Sequence, residues 1–518
     1  MDKVPYNGFP PASSLDLRKE LFQSLQALPM SLSTWTTWDS KNRLLKLPLE
    51  ILDEILSELD SHADLMALAL CSHMCANLVL PKHAEYRVIR VRHRRPDMWA
   101  HLARRADLAR NIREVYICQK EDQAATDHFP TTLLPAASKM TAVEVLQSHL
   151  ANGREDRRVL NICTALGHMT KLTTFTWDCY ELCSCLSSSM NVLQEGMILH
   201  ALSKLPLLKR VSLSGNFNTF GTYMSKPLSP MVCDIRNLEY LALFGDVWST
   251  PTTAEPLKTL LRLSPQLKGL EIPIEAAAIS VCVFPHLEKL KLFLQSGTSS
   301  TINQKWNNFL QNHPTLVELS CVPSLGISLP SSGLPKLKSL RTDSAMLDSI
   351  AQAPNPPVLE SVYGILDAYN INFLSAPAFR YLKKLEVSAI FQESDLERIT
   401  NTCGQTLAWL SIAAGPKFEL DVWLKFLATL PALEVFRGPA LWMAVDDDMD
   451  KMHNAIMQLV TVCPRLEQLE HKSIYTKRRK FKRIAIIREE DEEGLHVRYE
   501  VRKPPPRSMF DPMDGTFD

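Results

Sequence analysis

Apolar residues recur along this chain in two rhythms. Between Leu47 and Pro81 they fall at helical spacing: Ile51, Leu52, Ile55, Leu56 and Leu59 after Pro48, then Leu65, Leu68, Ala69, Leu70 and Met74. Pro48 suits a first helical turn, where its missing N–H has no partner to lose. Glu50, Asp53 and Glu54 place negative charge near the helix end that favours it. Ser61 or Asp64 stands where it can cap a second helix. Three short helices fit before Pro81. About 35 residues bury little core alone, so this segment must dock on the rest of the chain, on another protein, or on both.

From residue 108 to residue 475 the rhythm changes to a repeated apolar-x-x-apolar-x-apolar core. Examples are Ile112/Val115/Ile117, Leu172/Phe175/Trp177, Leu238/Leu241/Leu243, Leu316/Leu319/Cys321 and Leu407/Leu410/Ile412. The same spacing recurs at Met140/Val143/Val145, Leu359/Val362/Gly364, Leu433/Phe436/Gly438 and Leu466/Leu469/His471. The repeat starts are about 27 residues apart on average, the period of leucine-rich repeats. Proline stands two residues before the first Leu at Pro206, Pro265, Pro285, Pro314, Pro335, Pro357, Pro431 and Pro464. A proline there ends any preceding helix. Each unit therefore reads as helix or loop, then P-x-L, then a short strand. Helical halves show in Leu199–Leu205, Pro256–Leu263, Trp306–Asn312 and Val422–Leu430. No single repeat buries its own apolar strand face, so neighbours are expected to stack into one continuous core. Asn follows the core three residues on only at Leu213…Asn216, so curvature is expected to be irregular.

In such an array the parallel strands line a concave face, with helices and loops on the convex side. By alternation the residues between the core positions point out of the concave face. Tyr240, Phe244, Lys289, Lys291, Phe293, Arg341, Tyr363, Lys384 and Trp409 are the candidates there for contact with a target protein. Aromatic and basic groups together suit an acidic or phosphorylated peptide.

The flanks are different in character. Residues 1–42 form an extension, partly helical or disordered, in which Ser13 and Asp16 suit a capping box before Leu17, Leu21, Phe22, Leu25 and Leu28. Residues 43–81 hold the three helices. Residues 82–107 read as a basic connector containing Arg87, Arg90, Arg92, Arg94 and Arg95, either a solvated face or an anion-binding patch. In residues 476–502 a basic run and the acidic Glu489–Glu493 flank alternating apolar positions, which predicts a charged hairpin turning near Gly494. The basic run also fits a nuclear signal. Residues 503–518, with Pro504–Pro506, are expected to be disordered.

Composition narrows the chemistry. With 57 basic and 57 acidic residues and 46% hydrophobic residues, the chain has an ordinary soluble composition, and its balance disfavours nucleic acid as main partner. No apolar run reaches the length of a membrane span, and the N-terminus lacks a secretory core. The twelve cysteines are scattered, mostly in apolar segments, as at Cys233, Cys282, Cys321 and Cys463. They read as reduced, buried small hydrophobes of a cytoplasmic or nuclear protein. No phosphate loop, nucleophile elbow or zinc-protease motif is present. Cys179, Cys183 and Cys185 lack the partners of a zinc set, and Asp446–Asp448 with Asp450 lacks the pattern of a calcium loop. Neither a cofactor, a metal nor a catalytic residue is expected.

The helical segment carries a family resemblance. Leu47, Pro48, Glu50, Ile51, Ile55 and Leu59, followed by Asp64, Leu65, Leu68 and Cys71, resemble the F-box pattern, with Met74 where the family often has Trp. Leu78–Pro81 and Tyr86–Val91 are likewise similar to fungal F-box proteins. The resemblance implies an α/β chain, a three-helix F-box followed by an irregular leucine-rich-repeat solenoid. It implies a non-catalytic substrate-recognition subunit of an SCF-type ubiquitin ligase. The F-box would bind a Skp-type adaptor through Leu47, Pro48, Ile51, Leu52, Ile55 and Leu65, and the adaptor would join it to a cullin and a RING protein. The alternatives are a helical cap of the array and a leucine-rich interaction scaffold without a role in ubiquitination. A third is an enzyme whose catalytic groups meet only in the fold.

Overall fold

The computed structural model describes residues 47–59, 62–80, 83, 86–92, 96–118, 154–179, 192–215, 235–244, 248, 251–294, 300–322, 324–330, 333–365, 371–445, 449–470, 483–491 and 494–502. The extension 1–42, the tail 503–518, Met140/Val143/Val145, Cys183, Cys185, Asn216 and Asp446–Asp448 lie outside them. The chain divides into two compact units, Met1–Glu85 and Tyr86–Asp518.

In the first unit the apolar run makes α1 (Leu49–Glu58), α2 (His62–Cys71) and α3 (His73–Val79). Pro48 sits at the N-cap, one residue before α1, and its carbonyl accepts the N–H of both Ile51 and Leu52 at 3.1 Å. Ser72 caps α3 by accepting the Cys75 N–H at 3.1 Å. Leu56, Leu65, Ala69 and Val79 form the small core. Asp53 of α1 holds the buried His83 ring, with Oδ1 and Nε2 3.0 Å apart.

Among the described residues the second unit is built on one sixteen-stranded sheet whose spatial order is its sequence order. The strands are β1 (Val88–Arg92), β2 (Glu114–Cys118), β3 (Thr174–Cys179), β4 (Arg210–Gly215), β5 (Tyr240–Phe244), β6 (Gly269–Pro273), β7 (Lys289–Phe293) and β8 (Glu318–Val322). They continue with β9 (Ser339–Thr342), β10 (Ser361–Ile365), β11 (Lys384–Ala389), β12 (Trp409–Ala414), β13 (Val435–Arg437), β14 (Gln468–Glu470), β15 (Arg483–Asp491) and β16 (Gly494–Arg502). β1 to β14 pair in parallel, and β15 and β16 are added antiparallel. This is a solenoid of mixed α/β units.

Each parallel junction is made the same way. The two amides that open a strand both donate to one carbonyl just before the preceding strand. Glu239 and Tyr240 donate to Lys209, Lys268 and Gly269 to Glu239, and Glu360 and Ser361 to Lys338. The P-x-L signature is the turn that leads in. At Pro265, Pro285, Pro314, Pro335, Pro431 and Pro464 the proline takes the second position of a β-turn. The following Leu N–H returns to the carbonyl before the proline, for example Leu267 to Ser264 at 3.2 Å and Leu433 to Leu430 at 3.1 Å. Leu359 after Pro357 instead donates to Ala378 at 3.0 Å.

The repeated apolar positions, such as Leu238, Leu241 and Leu243, lie in one core with the inward faces of the helices, among them Trp306, Phe309, Trp423 and Leu427. Helices therefore cover one face of the sheet and leave the other open. Buried thiols belong to this core: burial pushes Cys321 and Cys403 up to about 12, and Cys463 up to about 11.

Three expectations are corrected. The basic connector is not solvated throughout: Ile89 and Val91 form the buried side of β1, Arg87 is buried, and Pro96–Arg104 is a helix carrying buried Trp99 and Leu102. Gly364 is not a core position, because the register pairs Ile365 rather than Gly364 with Val387. The helix near Pro256 begins earlier, at Pro251.

Candidate interaction surfaces

On α1 the helical period sorts the apolar residues into two faces. Leu52 and Leu56 are buried, 3% and 4% exposed, whereas Ile51 and Ile55 are 50% and 39% exposed. Leu47, Pro48 and Leu49 at the start of α1 are exposed too, as are Leu70 and Met74. Leu47, Pro48, Ile51 and Ile55 are thus available to a partner. Leu52 and Leu65 are not: Leu65 has no exposed surface and packs against Leu56, Ala69 and Val79. Leu65 closes the core of its own unit and Leu52 is buried as well, so neither side chain has surface to give in this arrangement.

The open face of the sheet in the second unit carries all nine of the other candidates, in rows that run across the strands. Just outside the strands, along the edge where they begin, charges alternate. Glu239 is held by Lys209 at 2.9 Å and Lys268 at 3.2 Å, and Glu360 by Lys338 and Lys383, both at 2.8 Å. The two lysines hold the Glu360 carboxyl down to about 2.

The next row, in register, passes through Arg210, Tyr240, Gly269, Lys289, Glu318, Ser339, Ser361, Lys384, Trp409 and Val435. Arg210 lies 4.6 Å from the Tyr240 ring centre. Gly269 makes room for that ring, since a Cβ there would stand 2.3 Å from Tyr240 Cδ1. Lys289 pairs with Glu318 at 2.8 Å. One position further along, Lys291 pairs with Glu271 at 3.0 Å, and burial raises the Glu271 carboxyl despite that lysine. Phe244 stacks on Phe293 with centres 5.0 Å apart. The cleft between Tyr240, Glu271, Lys289, Lys291 and Ser320 has a volume of about 20 Å³, room for a single water. Lys289 and Lys291 are therefore neutralised by their neighbours and do not make a basic patch.

Further along, Tyr363 meets Trp409 edge to face, 5.7 Å between centres, with Val435 packed beside them. Arg437 lies 5.3 Å from the Trp409 ring centre. This is an apolar cluster on the open face, separate from the main core. Arg341 is half-buried and Lys384 exposed. Sequence reasoning missed Glu386, Gly364 and Arg437. The period-two alternation that selected Tyr363 also selects Glu386 and Arg437, but nothing in the sequence marks the shift of register at Gly364. Among the described residues, no group of three or more metal-binding side chains is present, and no helix is long and apolar enough to cross a membrane.

No family model and no curated protein matches the chain. Among solved structures it is similar to a chain of the crystal structure of the Rad7 and Elc1 complex in yeast, at 13% sequence identity and a TM-score of 0.38, covering 84% of this chain and 96% of that one. At that score the likeness adds nothing to the fold, which stands on strand order and register.

Proposed function

We propose that this chain is the target-recognition subunit of an SCF-type ubiquitin ligase, without catalytic groups of its own. The three helices act as an F-box of the fungal type and bind a Skp-type adaptor, and with it the cullin and RING protein. The open sheet face binds the target protein, in the cytoplasm or nucleus. The observation that carries this reading is the split of α1: Leu52 and Leu56 are buried while Ile51 and Ile55, with Leu47 and Pro48, stay exposed in one stripe. Exposed apolar side chains at i and i+4 are what a helix offers to a partner's groove. The mechanism is proximity: holding a target lysine beside a charged ubiquitin carrier raises its effective concentration.

The test is binding of the purified full-length chain to a fungal Skp-type adaptor, beside an Ile51→Glu/Ile55→Glu variant whose fold is checked by circular dichroism. Wild type should bind at about micromolar Kd or tighter and the folded variant should not. Equal binding by both, or none by wild type, overturns the adaptor role. Adaptor binding without ubiquitination of any captured target leaves the scaffold reading.

A further inference from the structure

The hairpin that ends the sheet leaves an edge of its own. β16 pairs with β15 from Asp491 opposite Gly494 to Arg483 opposite Arg502, without a shift of register. Among the described residues no strand lies on its other side. In an antiparallel strand every second residue then turns its N–H and C=O outward, toward no strand. Proteins guard such edges by keeping them short, by proline, by a bulge or by charge. β16 uses only the last. It is nine residues long, holds no proline, and carries Val497, Tyr499 and Val501, residue types that favour strands.

The two sides of β16 differ. Val497 and Tyr499 are partly buried against the rim of the common core, and the Tyr499 hydroxyl meets His453 Nδ1 at 3.1 Å. Val501 falls on the same side by alternation and is 46% exposed. His496, Arg498 and Glu500 alternate with them on the other side. Arg498 pairs with Glu489 across the hairpin at 3.0 Å and with Glu500 of its own strand. The charge on this edge is therefore not of one sign. A strand that carried only lysines would repel any copy of itself, whereas one that carries Arg498 and Glu500 two residues apart can meet opposite charge in its own likeness.

We propose that β16 is the interface of a two-fold dimer, in which a second copy of this chain adds its own β16 antiparallel to the first. Charge selects both the occupant and the register. An antiparallel pair of identical strands that keeps the two cores on one side is centred on a residue, which then faces its own copy. Centred on Arg498 or on Glu500, the pair sets like charge against like. Centred on Val497, it sets His496 against Arg498, which attracts nothing. Centred on Tyr499, it sets Arg498 against Glu500 of the second copy twice, and Val497 against Val501 of the second copy twice. In that register the two sheets run on as one. Their helix-covered faces share one side and their open faces the other, and the exposed Val501 is covered. A single strand pairing buries less than the roughly 800 Å² per partner of a standard interface, so the association is weak and reversible. The dimer does not depend on what the helical unit or the open face binds.

Sedimentation velocity on the full-length chain tests this, without adaptor or target, from low to high micromolar concentration. Wild type should pass reversibly from one copy to two and no further. Arg498→Glu sets Glu against Glu500 at both contacts, and Glu500→Arg sets Arg against Arg498. Each should weaken association by at least about 10-fold. Mixed in equal amounts, the two variants restore opposite charges at both contacts and should form the dimer that neither forms alone. This rescue separates lost complementarity from lost folding, because a misfolded edge is not mended by a second changed chain. A wild type that stays monomeric throughout, single variants that associate like wild type, or a mixture that stays monomeric overturns the proposal. Adaptor binding by a monomeric wild type would overturn it too, while leaving the ligase reading in place.

Discussion

His313 shows how a single side chain can tie stability to pH. It lies in the core, stacked on Phe309 with centres 3.9 Å apart. Its Nδ1–H donates to the Phe309 carbonyl at 2.6 Å, and its Nε2 accepts the Phe284 N–H at 2.9 Å. That pair of bonds requires the neutral ring, and burial lowers its pKa below the ordinary value of 6.5. The unfolded chain takes up the proton as pH falls through about 6.5 and the folded chain does not, so stability declines on acidification by up to about 1.4 kcal/mol per pH unit in that window. Melting temperatures from pH 7.5 to 5.5 should therefore fall more steeply for wild type than for His313→Gln, and parallel curves would refute the assignment. Glu360 does not interfere: its lowered pKa adds stability that is present above 4.5 and lost only as pH falls toward about 2. At this scale the sequence was least informative. Lys289 and Lys291 look like free basic groups, because the acids that neutralise them, Glu318 and Glu271, stand on neighbouring strands and their pairing depends on register.

At the scale of elements, spacing carried more. The cores from Ile112 to Leu466 that fall on described residues lie on strands or their lead-in turns, except that Gly438 follows β13 and caps the next helix, since an apolar period tied to a turn signal survives loss of the consensus asparagine. β1 was missed because only Ile89 and Val91 mark it, among arginines. The helical segment was legible as helices, but not as faces: spacing puts Ile51 and Leu52 about 100° apart on one broad apolar stripe, and packing decides which edge of it turns inward. That decision has a measurable form. Leu56→Ala and Leu65→Ala each remove a buried leucine and should destabilise their unit by about 2–5 kcal/mol. Ile51→Ala should cost less than about 1 kcal/mol, because half of that side chain is exposed already. Chemical denaturation followed by helix ellipticity checks the order, and an Ile51→Ala cost equal to that of Leu65→Ala would mean that the exposed stripe is part of the core.

At the scale of the whole molecule, an open parallel sheet has an end that must be closed. β14 is three residues long, and without the hairpin its outer backbone groups would face solvent as a template for other chains. β15 covers it antiparallel, with Gln468, Leu469 and Glu470 opposite Ala485, Ile484 and Arg483. The buried Ile484 and Ile486 extend the common core past its last repeat. Arg488 of the same strand donates to the carbonyls of Leu466 at 2.6 Å and Cys463 at 3.2 Å, tying the hairpin to the turn that leads into β14. A solenoid's stability is a sum of repeats and the interfaces between them, so loss of a terminal cap acts first on the repeat beneath it. Deleting residues 483–518 should therefore lower the melting temperature and produce concentration-dependent oligomers on size-exclusion chromatography. Deleting only 503–518 should do neither. If the longer deletion leaves a monomer with an unchanged melting temperature, β15 and β16 are an appendage, and the sheet is closed by β14 itself. If it behaves as expected, the charged run of residues 483–502 is the cap of the array, and its alternating apolar positions are explained by the core they complete.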